Sequence, residues 1–303
     1  MERSRANDWI DSRFPESLFQ PAENQRASYN KRLISGFKTA QRSNVIICGM
    51  CRDIEDTAHK TIARIERLSS FFKSSYVVIY ENDSTDKTPE ILKDWQESNN
   101  SVTVFSEVIG TERLEGTSVE RCHTMMEARN KLQSEVKILE SSLYLDIDFV
   151  ILVDMDLVGG WSYEGVLNSL SYTHWDFIGS NGLHYGTVNK EGLLTNNLQE
   201  IVRIDRIFFD TFAYKDVGET AQIRKSSSEK NKIRLGRGEE PYRVESCFGG
   251  LGIYRWNAYK IGRYDMYACD HVCFNESIAR EGFNSIYINP SMITLYTETP
   301  YTK

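Results

Sequence analysis

From Asn44 onward the apolar positions change rhythm in a regular way. "NVIICGM" is a short β-branched run; Ile54, Ala58, Ile62, Ile65, Leu68 and Phe72 then recur at helical spacing; "YVVIY" is a second short run. This switch of period predicts a strand, helix, strand unit. The unit continues. "TPEILKDWQ" puts Pro89 in a first helical turn ahead of an apolar stripe, "VTVFSE" reads as a third strand, Met125 to Leu139 as another helix, and "FVILV" as a fourth strand. Such alternation predicts a mostly parallel sheet covered by helices on both faces, because parallel neighbours need a crossover between them.

The second half is less regular. "WDFIGSNG", "RIFFDTFAY", "CFGGLGIYR" and "FNSIYINP" read as strands or strand ends, and Val272 to Arg280 as a helix. Residues 215–240 are rich in Lys, Arg, Glu, Ser and Gly, which predicts a mobile loop; a lid over a ligand is the other use of such a segment. Residues 1–42 are polar and carry Pro15 and Pro21, which suggests an N-terminal extension that wraps the domain and holds one helix. The expected division is therefore an extension (1–42), a first half (43–180) and a second half (181–303) containing the loop.

A chain of 303 residues can bury a sizeable core. Its 43 acidic residues outnumber 36 basic ones, which disfavours a general nucleic-acid binder, whose phosphate contacts need a basic surface. No apolar run approaches the roughly 20 residues of a membrane span, and the first residues lack the apolar segment of a secretory signal. The expected location is the cytoplasm; a truncated lumenal Golgi domain would read the same way. Six cysteines are too thinly spread for a disulfide framework. "CGMC" has redox-motif spacing, but it ends a strand and no second CxxC follows, so free thiols are expected.

The chemistry concentrates where strands end. In an open parallel sheet, ligands bind beyond the carboxyl ends of the strands. "YVVIY" runs there into Glu81, Asn82 and Asp83, and "FVILV" into Asp154 and Asp156. Residues two apart in an extended segment point the same way, so both aspartates are expected to face one cation while Met155 turns to the core. Capping a turn is the plainer role for the pair. Hard oxygen ligands suit Mg²⁺ or Mn²⁺, and the matching partner of such a cation is a nucleotide diphosphate. Gly159 and Gly160 then allow a close backbone approach.

"YENDSTDKT", "EARN", "VDMDL" and "CDHVCFNESIAREGFNSIYINP" follow one another as the corresponding motifs do in GT-A-fold glycosyltransferases, which the chain resembles over residues 44–295. "YENDSTD", "ARN" and "FFDTFA" also look like the fungal capsule mannosyltransferase family. The resemblance implies an α/β, GT-A-like, Rossmann-type sheet flanked by helices, with a mixed acceptor-side half. It further implies a metal-dependent enzyme that moves a hexosyl or pentosyl group from a UDP- or GDP-sugar to a glycan or other acceptor hydroxyl, with Mn²⁺ or Mg²⁺. By position, Glu81 and Asp83 would lie beside base and ribose, Arg129 and Asn130 near the nucleotide and its phosphates, and Asp154 and Asp156 on the metal. Asp270 and His271 stand where inverting members carry a Glu-Asp pair whose Asp deprotonates the acceptor. Either is then the base, and His271 is alternatively a third metal ligand.

On the acceptor side the expected residues are Gly249 and Gly250, Asp210 and Trp161, with Trp175, Tyr185 and Phe248 as further stacking candidates and Asp205 as a further hydroxyl-binding one. The chain departs from the commoner Asp-Asp-Gly-Ser at Glu81, Asn82, Asp83 and Ser84. Alternatives of other classes are a non-catalytic nucleotide- or sugar-binding module and a sugar-phosphate nucleotidylyltransferase, whose glycine-rich phosphate loop the chain lacks. A Rossmann oxidoreductase is disfavoured because no G-x-G-x-x-G follows the first strand.

Overall fold

The computed structural model describes residues 14–110, 118–144, 146–220 and 230–298. After a 3₁₀ turn at Glu16–Leu18, the elements of the first half are α1 (Glu23–Ala40), β1 (Asn44–Cys51), α2 (Glu55–Ser69), β2 (Ser74–Asn82), α3 (Thr88–Ser98), β3 (Val102–Glu107), α4 (Val119–Leu143) and β4 (Phe149–Asp154). Then come β5 (Gly160–Trp161), α5 (Tyr163–Leu170), β6 (Phe177–Val188), β7 (Arg203–Phe208), β8 (Tyr242–Arg243), β9 (Leu251–Arg255), α6 (Trp256–Tyr259), α7 (Asp270–Arg280) and β10 (Ile286–Leu295). Residues 1–13 of the expected extension and 221–229 of the expected mobile loop lie outside the described residues.

One sheet joins both halves in the order β3-β2-β1-β4-β9-β6-β10-β5. β3, β2, β1 and β4 are parallel, as the alternation predicted. β9 then inserts antiparallel between β4 and β6, while β10 runs parallel to β6. The fold is thus α/β with a mostly parallel sheet, flanked by helices and mixed on its second side. Alternation within β4 shows how the layers form. Val150 and Leu152 point to a core shared with Leu132 and Val136 of α4 and Phe274 and Ile278 of α7. Phe149, Ile151 and Val153 point the other way, toward Ile65 and Leu68 of α2, Leu92 and Trp95 of α3, and Val166 of α5. Full burial of each large apolar side chain contributes about 1.5–3 kcal/mol, so the two cores hold the sheet from both sides.

α1 packs on α5 at Gly36, where an added Cβ would collide with the Leu167 carbonyl. Beside it the Phe14–Phe19 segment covers Ile293 and Leu295 and is clamped by buried Arg237. Arg237 donates to the Glu16 carboxylate, to Ser162 Oγ and, at 2.8 Å, to the Phe19 carbonyl. Among the described residues no helix is long and apolar enough to cross a membrane. All six cysteines are buried free thiols, "CGMC" included.

Candidate active site

A cleft of about 490 Å³ opens at the carboxyl ends of β1, β2 and β4. Asp154 and Asp156 both line it, yet only Asp154 belongs to β4; Met155 and Asp156 form a turn. Met155 is nonetheless buried, because Gly49 in the neighbouring β1 leaves room: a Cβ there would lie 2.6 Å from the Met155 sulfur. α2 holds the turn's backbone. Thr61 Oγ1 donates to the Met155 carbonyl at 2.8 Å, and the Arg64 guanidinium donates to the Leu157 and Val158 carbonyls at 2.7 and 2.9 Å. Gly159 and Gly160 meet the chain's own atoms. Gly159 lies against Leu295 and the Thr297 carbonyl, and Gly160, with φ +72°, lies against Arg64.

Between the aspartates and α7 sits Arg129 of α4, 3% exposed. Its Nε donates to Asp270 Oδ2 at 3.1 Å, its Nη2 lies 3.8 Å from Asp154 Oδ1 and 3.2 Å from His271 Nε2, and its guanidinium covers the Phe248 ring. Burial opposes its charge, but Asp270 and Asp154 override that and keep it protonated. Burial also opposes ionisation of Asp270, and His271 and Arg129 reverse this, holding its carboxyl at about 2. His271 is stacked on Phe248 at 3.8 Å between ring centroids, and burial pushes it down to about 3. At neutral pH Asp270 is therefore a fixed anion and His271 a neutral ring. Neither is among the residues that line the cleft.

The acidic side of the cleft is crowded. Burial first, and then Asp156, raise the Asp154 carboxyl well above the usual carboxylate range, Arg129 only partly offsetting them. Asp210, at the turn after β7, also lines the cleft; burial is the main cause of its rise to about 7, against the restraining hydrogen bond from the Gly249 N–H. Among the described residues no group of three or more His, Cys, Asp or Glu side chains is placed to hold a metal ion, while the charges of Asp210 and Asp270 lie near enough to raise Asp154 further. Two carboxylates facing open space still fit a hard dication, which takes its remaining oxygens from water or phosphate and relieves the repulsion that raises Asp154.

The other expected residues divide between wall and scaffold. Glu81 is buried and accepts from the Ser84 N–H at 2.9 Å and from Ser106 Oγ. Asp83, at φ +56°, accepts from the N–H groups of Ile109 and Gly110, both at 2.8 Å. The rest of "DSTDKT" ties this loop to the one after β1: Asp53 accepts from the Thr85 N–H, Asp86 from the Glu55 N–H, and Thr88 Oγ1 from the Ile54 N–H. That network leaves Asn82 on the cleft. Asn130 bonds the Tyr264 backbone. Gly249 and Gly250 both have positive φ; a Cβ on Gly249 would strike the Ser180 carbonyl, and one on Gly250 would crowd Leu157 and Tyr296. Trp161, Trp175 and Phe248 are buried in the cores, and Asp205 pairs with Arg203 and Arg234 and is not among the cleft-lining residues. Sequence reasoning missed Arg52, Arg121, Phe209 and Tyr296, all cleft-lining. Arg121 lies ahead of the helix read from Met125, whereas α4 starts at Val119 and carries it in its first turn.

No protein-family model matches the chain, and no curated protein matches it. Solved structures do. A mannosyltransferase of Pyrobaculum calidifontis in complex with GDP-Man and Mn²⁺ is 11% identical, with a TM-score of 0.47 over 92% of this chain and 68% of that one. GalNAc-T7 with UDP, GalNAc and Mn²⁺ is 12% identical, with a TM-score of 0.45 over 84% and 44%. S. aureus TarS is 12% identical, with a TM-score of 0.44 over 83% and 59%. The chain thus spans only about half the length of the latter two. Likeness of this degree concerns the layout of the sheet and gives no residue a role.

Proposed function

We propose that the chain is a glycosyltransferase that moves a sugar from a nucleoside-diphosphate sugar to a hydroxyl of a glycan or other acceptor. The observation that carries this reading is the meeting of Asp154, Asp156 and Arg129 on one cleft at the strand ends. Residues of 43–180 bind the donor's nucleotide and diphosphate in this reading, and residues of 181–303 supply the wall where sugar and acceptor meet. Asp154 and Asp156 would hold Mn²⁺ or Mg²⁺, which when bound neutralises charge on the departing diphosphate. Arg52, Arg121 and Arg129 add fixed positive charge along the cleft, and Met50, Ile54, Met125 and Ala128 give the nucleoside an apolar wall. Asp270 and His271 anchor Arg129 against Asp154, so that this charge is aimed before substrate arrives. Rate enhancement then comes from placing donor and acceptor together and from stabilising the leaving group.

A thermal-shift panel of UDP, GDP, CMP and dTDP and their common sugar conjugates, each with and without Mn²⁺, tests the reading. Binding to the folded state adds about 2.7 kcal/mol of stability by mass action at a hundredfold excess over Kd, and so raises the melting temperature. A shift with one nucleotide that requires Mn²⁺ and vanishes in Asp156→Ala is expected. No shift with any of them returns the chain to a binding module of other ligands and the two aspartates to a turn.

A further inference from the structure

The cleft has two walls of different chemistry. One, from the ends of β1 and β2 and the start of α4, carries Arg52, Asn82 and Arg121 among apolar side chains; the other, from the second half, is Phe209, Asp210 and Tyr296. Because β4 lies between β1 and β9, Asp154 and Asp156 stand between the walls. A donor lying across the cleft with its diphosphate at the aspartates and its nucleoside on the first wall has one direction left for its sugar, toward the second wall.

That wall is built in advance. The Phe209 ring stacks on His184 with centroids 5.1 Å apart and leans on Tyr296 at 4.7 Å, so its orientation is set from two sides. Asp210 has φ +53°, a conformation that costs a non-glycine residue energy and persists only where surroundings impose it. The surroundings are two backbone groups. Gly249 N–H donates to Asp210 Oδ2 at 2.8 Å, and Ala213 supplies a second backbone hydrogen bond. Two donors leave a carboxylate, with about four acceptor positions, able to take further O–H groups. Asp210 lines the cleft beside the aromatic surface of Phe209 and Tyr296, and a sugar ring combines the two features that match: an apolar face and hydroxyl donors at its edge.

The geometry points to Phe209, Asp210 and Tyr296 as the subsite of the transferred sugar, the aromatic pair packing its apolar face and Asp210 accepting its hydroxyl hydrogen bonds. This rests on the glycosyltransferase reading, and it assigns Asp210 to the donor's sugar rather than to the acceptor. Donor binding without acceptor tests it. The affinities of UDP, GDP, UDP-glucose, UDP-N-acetylglucosamine and GDP-mannose, each with Mn²⁺, are measured by calorimetry for the unaltered protein and for Asp210→Asn, Phe209→Leu and Phe209→Tyr. Asp210→Asn should bind the free diphosphate within about twofold of the unaltered protein and its sugar conjugate about tenfold more weakly, the loss of a hydrogen bond to a charged group. Phe209→Leu should shift the same ratio, and Phe209→Tyr should preserve it. In variants with unchanged circular dichroism, an equal loss for diphosphate and conjugate, or no loss, would overturn the subsite. If the unaltered protein binds no nucleoside diphosphate at all, the glycosyltransferase reading itself falls, and the subsite with it.

Discussion

At the scale of single residues, charge placement explains most of the candidate site. Arg129 is buried against Asp270, with Asp154 within 4 Å, so removing its charge strands a buried carboxylate. Arg129→Met should cost about 3–5 kcal/mol in urea unfolding, more than Asp270→Asn costs. Asp270 also sets an acid limit. Its folded-state pKa of about 2 lies below the ordinary value, so the stability it contributes is complete above about pH 4 and is lost as pH falls toward 2. Asp210 has the opposite sign: raised to about 7, it lowers stability progressively as pH rises from about 4 to 7, and the loss is complete above that. Asp154 is raised in the same direction. Asp154→Asn should therefore stabilise the metal-free protein at pH 8 by about 1 kcal/mol while abolishing any response to Mn²⁺, a pairing that melting curves with and without the metal would show. The pair's spacing was legible in "VDMDL". Crowding by Asp210 was not, because 54 residues separate it from Asp156.

Among elements, α2 is the one that shapes the aspartate turn. Arg64 donates to the Leu157 and Val158 carbonyls after Asp156, the first of which also accepts from the Gly160 N–H, and Gly49 makes the space that Met155 fills. Arg64→Leu should lower stability by about 1–3 kcal/mol, since the Val158 carbonyl loses its Arg64 donor and the Leu157 carbonyl keeps only the Gly160 N–H. It should also weaken Mn²⁺-dependent ligand binding, measured by the same titration, because the turn loses its support. The strands and long helices of the first half were readable, since each shows its own period over enough residues. α5 was not anticipated: "YEGVLNSL" is eight residues long, too short for a stripe to stand out. Asp156 was expected in an extended strand; the chain turns one residue earlier, and Met155 reaches the core through the turn instead. The motif "STDKT" was legible as a pattern, but its work of lashing two loops together appears only when the loop after β1 lies beside it.

For the whole molecule, the two halves of the chain do not form separable layers. β9, from the second half, sits between β4 and β6 in one continuous sheet, and the cores on either face draw on both halves. Tryptophan fluorescence and far-ultraviolet circular dichroism should report coincident denaturant transitions; separate midpoints would mean that the halves unfold independently. What the sequence by itself determined is the local grammar: period-two and helical stripes, the strand ends at Glu81 and Asp154, and the acidic pair, all set by residues near one another in the chain. Only the tertiary structure decided which side chains face the cleft. Arg52, Arg121, the pair Phe209–Asp210 and Tyr296 come from four separate stretches, while Trp161 and Phe248 turn into the cores. The physical reason is that orientation toward a cavity depends on long-range packing and hydrogen bonds, such as Gly249 to Asp210 and Arg129 to Asp270, whose partners carry no mark of each other along the chain.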